Sequence, residues 1–227
     1  MSTSIADTLN AFAKLRHSQE IPDHLLKENP QRNGSEFDPN TYFDVLTRLR
    51  MADGFVLDYA YSYCSSGAKP YLYARRKDST HVLTLRDVSE WSDSSQLLAY
   101  VVADGSPESF IELVAFHHMA SQFYLYWHAG YNDANILTCP MLIDPAKPEE
   151  SDIDPAELTQ DQIDGFHHLS AAPSVTLMGD VAIIDYCRFS GFRGLTRVRA
   201  SYCRQPPHLL YDVEVIGEVD YRCSICF

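Results

Sequence analysis

The chain has 227 residues, of which 45% are hydrophobic, and a formal net charge of −13 at pH 7. This length fits one large domain or two small ones, and a single domain of this size buries roughly 70% of its unfolded surface. The excess of negative charge argues against non-specific binding to nucleic acids or to anionic membranes, because both surfaces would repel the protein.

No apolar run approaches the roughly 20 residues of a membrane span, and the N-terminus lacks the apolar core of a signal peptide. We therefore expect a cytoplasmic protein without membrane contact. Six cysteines are too few for a disulfide scaffold in a chain of this length. In a reducing compartment they are expected to be mostly free and buried.

Two helices are predicted in the N-terminal part. Apolar residues recur at helical spacing over 4–17, where Ser4 is a suitable N-cap. A second helix is predicted over 39–51, with Asp38 as its cap. The polar, proline-containing stretch between them predicts a surface connection. Residues 1–36 are thus expected to form a helix followed by that connection.

A tyrosine-rich hairpin is predicted over 55–76. Large residues alternate with small or polar ones over 55–64, which is typical of a half-buried strand, and 70–76 reads as its hairpin partner. Because aromatic residues pair well across strands, one patch is expected from Tyr61, Tyr63, Tyr71 and Tyr73. Tyrosine is enriched at interfaces, so this patch is a candidate surface for a protein or a sugar ring. The alternative is that the rings alternate between core and sheet surface.

A short strand over 80–86 and a helix over 89–103 are expected next. The most clearly marked element is a helix over 106–130, which Ser106 caps and Pro107 begins. Gly130 is suited to the left-handed position at its end. Apolar side chains cover most of its circumference, which indicates a buried helix wrapped by a sheet.

After a predicted strand over 134–143, charge is distributed unevenly. Residues 144–164 contain eight acids and one lysine, whereas residues 186–211 contain five arginines and no acid. This asymmetry indicates that one segment packs near the other. The part over 144–156 is expected to be an exposed acidic loop, followed by a helix over 157–169. Candidate contacts to a basic partner are Asp152, Asp154 and Glu157, and the alternative is a solvated loop without a partner.

The C-terminal third is mostly strand, over 174–178, 181–189, 195–204 and 209–219. A hairpin over 195–217 has a register in which Arg199 faces Asp212 and Val198 faces Val213, so both faces are chemically matched. The strands follow one another with tight turns, which favours an antiparallel or mixed sheet. We therefore predict a single α+β domain over 1–227, with about six strands packed on the helix 106–130.

Few residues predict chemistry. The pair Cys223 and Cys226 has the spacing of a metal or redox motif, but a zinc site needs two further ligands, so no metal or cofactor is expected. On a helix, His117 and His128 share a face but lie ~16 Å apart, too far for one ion. His128 with Asp133 is the best catalytic pair, against the alternative that these histidines are hydrogen-bonded core residues. The chain contains neither a serine elbow nor a glycine-rich phosphate loop.

The sequence favours a non-catalytic protein that acts through protein contacts. The surface would be the acidic segment 144–164 or the hairpin 55–76, and the partner a basic protein or a second copy. One alternative is a metal- or histidine-assisted hydrolase that uses His117, His128 and Asp133. Another is a small-ligand-binding domain whose pocket lies between the sheet and the central helix.

Overall fold

The computed structural model describes residues 4–79 and 97–221. Within these ranges the protein is α+β, with four α-helices and three antiparallel sheets. In the same ranges, no helix has the length and the apolar character that crossing a membrane requires.

The helices and strands are numbered in chain order. The helices are α1 (Ile5–His17), α2 (Tyr42–Val45), α3 (Pro107–Met119) and α4 (Gln160–Leu169). The strands are β1 (Leu49–Met51), β2 (Phe55–Cys64), β3 (Gly67–Arg76), β4 (Val101–Ala103), β5 (Tyr126–Trp127), β6 (Ala134–Ile136), β7 (Ser174–Met178), β8 (Val181–Ser190), β9 (Gly194–Cys203) and β10 (Leu210–Val219). β1 pairs with β4, and a second sheet has the order β2-β3-β5. The largest sheet has the order β10-β9-β8-β6, with β7 also paired to β8.

Helix α3 packs on one face of the largest sheet. The even-numbered residues of β8 and β9 form that face, and they are almost fully buried in the main core: Ala182, Ile184, Tyr186, Val198, Ala200 and Tyr202. Helix α4 covers part of the opposite face, where Phe166 packs near Cys187 and Leu195 in a second, smaller core. The sheet is therefore buried on both faces along much of its length.

Helix α3 begins as predicted. The Ser106 hydroxyl accepts a hydrogen bond from the Ser109 N–H, and Pro107 occupies the first turn. Every apolar residue of α3 after Pro107 is buried, in agreement with the expectation of a helix that is apolar nearly all round.

The prediction that this helix continues to Gly130 is wrong, because α3 ends at Met119. Side chains from distant segments bind the carbonyl groups that a longer helix would use. The Tyr42 hydroxyl donates to the Ala120 carbonyl at 3.0 Å, and the Tyr61 hydroxyl donates to the Tyr124 carbonyl at 2.6 Å. Tyr124 and Trp127 also have positive φ angles, which an α-helix excludes. His128 and Gly130 consequently lie in a 3₁₀ turn.

The six-stranded sheet is also wrong, since the described strands divide into sheets of two, three and five. The helix predicted over 39–51 is a 3₁₀ turn, the short helix α2 and then β1. The strand predicted over 134–143 stops at Ile136. The strand predicted over 80–86 lies outside the described residues, and the end of the helix predicted over 89–103 is the strand β4.

β9 and β10 form the predicted C-terminal hairpin, but in a different register. Arg199 pairs with Glu214 instead of Asp212, and Val198 with Val215 instead of Val213. The displacement of two residues has two sources. At the turn Tyr202 pairs with Leu210, one residue later than the expected register, and the β-bulge between Leu210 and Asp212 adds the second residue. Another bulge follows between Val215 and Gly217. A bulge adds a residue to one strand only, so a register deduced from alternation alone is displaced.

Candidate arginine cleft

The candidate site lies at the end of the largest sheet where β8 turns into β9. The face of β8 that packs on α3 carries Ile184 and Tyr186 in the core, and the next residues on that face are Arg188 and Ser190. Because α3 ends at Met119, the helix does not cover these last two positions. A polar cleft therefore replaces the apolar core at this end.

The cleft has a volume of about 250 Å³. Helix α3 and the segment after it contribute His118 and Gln122, and Ala134 lies on the adjoining strand β6. Cross-strand pairing brings the remaining residues together, since Arg188 faces Thr196 and Ser190 faces Gly194 across β8 and β9. The described residues that line the cleft are His118, Gln122, Ala134, Arg188, Ser190, Arg193, Gly194 and Thr196.

The turn between β8 and β9 fixes the position of Arg193. The Ser190 hydroxyl accepts a hydrogen bond from the Arg193 N–H at 3.1 Å. Gly194 has a φ of +76°, and a Cβ atom there would lie 2.1 Å from the Val219 carbonyl oxygen. Only glycine fits this approach of two backbone segments, so the turn is held in one conformation.

The described residues of the lining include two arginines and no carboxylate. Most other described arginines are ion-paired, for example Arg48 with Glu112 at 2.7 Å and Arg199 with Asp185 at 3.0 Å. Neither Arg188 nor Arg193 has such a partner among residues 4–79 and 97–221. The side chains that the structure describes in the acidic segment 144–164 form no ion pair with an arginine. Within the described part of the chain, the cleft thus carries positive charge without an acidic partner, in a strongly acidic protein.

His118 does not add to this charge at neutral pH. Burial, followed by the neighbouring His117 and Arg188, lowers the pKa of His118 to about 3. Its Nε2 atom is hydrogen-bonded to the Tyr186 hydroxyl at 2.7 Å. Burial raises the pKa of Tyr186 to about 12, against the opposing influence of Arg188. Both groups are therefore neutral near pH 7, and the positive charge comes from the two guanidinium groups.

A buried arginine network lies beside the cleft. The Arg16 guanidinium is fully buried and donates to the Gln122 carbonyl, to Asp133 and to Asn135, each within 2.9 Å. The Gln122 side-chain oxygen also accepts a hydrogen bond from the Ala134 N–H at 3.1 Å. These contacts hold Gln122 between the cleft and a second cavity of about 250 Å³, which Arg16 and Asp133 line.

The histidine candidates do not form the predicted catalytic pair. Asp133 binds His17 and Arg16, while His128 stacks on Trp127 with ring centroids 4.6 Å apart. His117 is hydrogen-bonded to the Tyr202 hydroxyl at 3.0 Å, as the alternative of a hydrogen-bonded core histidine expects. In the part of the chain that the structure describes, no cluster of three or more His, Cys, Asp or Glu could hold a metal ion.

The tyrosine patch is divided between two faces of its hairpin. Tyr61 and Tyr63 face Pro70 and Ala68, so they cannot share a face with Tyr71 and Tyr73, which pair with Ala60 and Asp58. Tyr61 lies in the main core and Tyr73 in a separate small cluster, whereas Tyr63 and Tyr71 are half-buried.

Two of the three acidic candidates lie on the surface. Asp152 and Asp154 are exposed, and their carboxylates accept hydrogen bonds from the Leu142 and Ala156 N–H groups, which shape the loop. Glu157 ends a 3₁₀ turn that begins at Pro155. Cys223 and Cys226 lie outside the described residues.

Sequence reasoning did not find the cleft residues as a site. The arginine-rich, acid-free segment was a visible signal for Arg188 and Arg193, but nothing in the sequence joined it to His118 or Gln122. That connection depends on where α3 ends. Chemically, two guanidinium groups beside hydroxyl and amide groups suit an oxygen-rich anion. Comparisons with protein-family models, with curated proteins and with solved structures find no match to this chain.

Proposed function

We propose that the protein binds a small anionic ligand, carrying a phosphate or carboxylate group, in the arginine cleft. The observation that carries this proposal is the pair Arg188 and Arg193, which line one cavity and have no acidic partner among the described residues. An arginine fork matches the geometry of both anions. This is the third of the functions that the sequence leaves open, namely a small ligand held between the sheet and the helix.

The cleft itself limits the ligand. Its volume of about 250 Å³ lies just below the usual range of small-molecule pockets, roughly 300 to 1,000 Å³. The negative end of the α3 dipole lies near His118 and does not favour an anion. The two arginines must therefore supply the attraction, each through charge-assisted hydrogen bonds worth about 1.5–3 kcal/mol.

Titration calorimetry with inorganic phosphate and with malonate tests this proposal at low ionic strength. We expect saturable binding of at least one probe, and the stronger probe identifies the class of anion. The variant Arg188→Gln/Arg193→Gln should weaken binding at least tenfold, because the two arginines together contribute more than about 1.4 kcal/mol.

The matched control is Arg50→Gln/Arg76→Gln, which removes the same charge from two exposed arginines paired with Asp53 and Asp78. This control should bind the probe as the wild type does. Equal loss in both variants would mean that the probe responds only to overall charge. Absence of saturable binding of either probe to the wild type would contradict the proposal.

A histidine-assisted hydrolase has less support from the geometry. Its expected pair, His128 and Asp133, is replaced by Asp133 with His17, and Arg16 already neutralises that carboxylate. Support for protein contacts comes from a surface that was not predicted, the edge strand β10, and not from the acidic segment 144–164 or the hairpin 55–76.

A further inference from the structure

Strand β10 is an edge strand with an unusual distribution of side chains. It forms one end of the largest sheet and pairs on its inner side with β9. Among the described residues no strand pairs with its outer side, although the Val213 N–H donates to the Asp212 carboxylate at 2.9 Å. Long unprotected edges of this kind invite another strand.

The α3 face of the sheet continues onto β10 without a cover. Val213 and Val215 pair with Ala200 and Val198, which are buried beneath α3. Yet Val213 is 49% and Val215 52% exposed. The core face therefore ends in an exposed apolar row, beside the open backbone edge. Residues 212–215 lie between the two bulges and run in regular register with β9.

The opposite face of β10 is acidic. Asp212 and Glu214 pair with Ser201 and Arg199, on the face away from α3. The whole strand carries three acids, Glu218 being the third, and no basic residue. Arg199 lies 3.7 Å from Glu214 but is shared with Asp185, so it does not balance the charge of the strand.

We infer that β10 is a docking edge for an extended segment of a basic partner protein, which adds as a further strand beside residues 212–215. Its apolar side chains pack beside Val213 and Val215, and its lysines or arginines alternate with them beside Asp212 and Glu214. Backbone hydrogen bonds supply affinity in this mode of recognition, and the alternating side chains supply specificity. This surface is separate from the arginine cleft.

Charge decides against a second copy of this chain as the occupant. Two β10 strands would bring six acids and no base together at one edge. Like charges on neighbouring strands destabilise the pairing, and the net charge of −13 adds long-range repulsion. A basic segment would instead be attracted, both by the acids of β10 at short range and by the net charge at long range.

The test is selection of a displayed library of random twelve-residue peptides on the wild-type protein. Enriched sequences should alternate lysine or arginine with β-branched residues. A synthetic peptide of the consensus, measured by fluorescence anisotropy, should bind at least tenfold more weakly to Val213→Ser/Val215→Ser. The control Leu142→Ser/Met178→Ser changes two equally exposed apolar residues elsewhere and should bind normally.

Two further measurements test the charge contacts and the backbone hydrogen bonds separately. Asp212→Asn/Glu214→Gln/Glu218→Gln should weaken binding and reduce its dependence on salt concentration. A consensus peptide methylated on alternate backbone nitrogens should lose binding if the methyl groups face β10.

Several results would overturn the inference. Acidic consensus sequences would contradict a basic segment as the occupant. So would an affinity that is unchanged in Val213→Ser/Val215→Ser. A dimer in analytical ultracentrifugation that this variant dissociates would make a second copy the occupant. Slow amide exchange along the outer side of β10 in the free monomer would show that the edge is already covered.

Discussion

Single side chains decide where the arginine cleft is and what charge it has. Tyr186 ends the apolar row of β8, and Arg188 is the next residue on the same face. Gly194 then lets the chain return so closely that Arg193 comes to the same cavity. The charge of the site thus depends on Arg188 and Arg193, whereas Gly194 also sets the backbone of the sheet.

Gly194→Ala should be strongly destabilising. The new Cβ atom would meet the Val219 carbonyl oxygen at 2.1 Å and the Tyr221 nitrogen at 2.5 Å, so two backbone segments must separate. We expect a loss of at least about 3 kcal/mol in the free energy of unfolding, measured by urea denaturation.

The control for this prediction is Gly179→Ala. Gly179 also has a positive φ, +55°, but a Cβ atom there meets nothing within 4 Å. Gly179→Ala should lower the free energy of unfolding only by the cost of the left-handed conformation, about 1 kcal/mol. Similar losses in the two variants would show that the contact with Val219 is not tight.

The sequence predicts such residue-scale features unevenly. The acid-free run of arginines is visible in the sequence, and it does contain both charged residues of the cleft. Their grouping with His118 and Gln122 is not visible, because it depends on contacts more than 60 residues away along the chain. The pairing of Asp133 with His17 was missed for the same reason, since the two lie 116 positions apart.

At the scale of elements, local interactions determine where α3 begins, and distant interactions determine where it ends. The Ser106 cap and Pro107 are local signals, so the start of the helix was predictable. The end depends on Tyr42 and Tyr61, whose hydroxyl groups bind carbonyls after Met119. The C-terminal hairpin shows the same division: alternation predicts that it forms, whereas its turn and the bulge after Leu210 decide the register.

The connection between α1 and α2 is held to the hairpin of β2 and β3 by charged groups. The buried Glu36 carboxylate accepts hydrogen bonds from the Asn33 and Gly34 N–H groups and is bonded to His24 at 2.6 Å. Arg32 lies beside Glu36 and binds Asp58 on β2. This surface connection is therefore ordered by specific contacts and not by apolar packing alone.

Glu36 makes this connection sensitive to acid. Burial raises the pKa of Glu36, but the hydrogen bonds from Asn33, His24 and Gly34 outweigh burial and lower it to about 2. A depressed carboxyl pKa stabilises the fold above the unfolded value of about 4.5, and the contribution disappears as pH falls toward 2.

Urea denaturation between pH 5 and pH 2 should therefore show a loss of roughly 2 kcal/mol that Glu36→Gln lacks. Asp53→Asn is the control, since that side chain is fully exposed and should leave the wild-type pH dependence unchanged. If Glu36→Gln loses stability with acid just as the wild type does, the hydrogen bonds of Glu36 do not lower its pKa.

At the scale of the whole molecule, composition predicts the fold class but not its division into sheets. Interleaved helices and sequential strands indicate α+β, and the structure agrees. The separation into sheets of two, three and five strands depends on which strands meet, for example β1 with β4, and no alternation pattern records that choice.

The net charge of −13 predicts how salt affects stability. Repulsion among the acids destabilises the compact state, and added salt screens it. Raising sodium chloride from about 20 to 500 mM should raise the unfolding midpoint by about 2–4 °C, which corresponds to about 1 kcal/mol at this size. Differential scanning calorimetry measures this change.

The variant Arg188→Gln/Arg193→Gln serves as the control, because it is two charges more negative. If salt acts by screening repulsion, the unfolding midpoint of the variant should rise at least as much as that of the wild type. A smaller gain in the variant would instead indicate that chloride stabilises the wild type by occupying the arginine cleft.

The buried guanidinium of Arg16 couples the first helix to the arginine cleft. It belongs to α1, yet its hydrogen-bond acceptors lie 106 to 119 positions later in the chain. One of them, Gln122, lines the cleft, where it also donates to the Met119 carbonyl and accepts from the Ala134 N–H. Detachment of α1 would remove one of the contacts that position Gln122, so the docking of this helix and the shape of the cleft are linked.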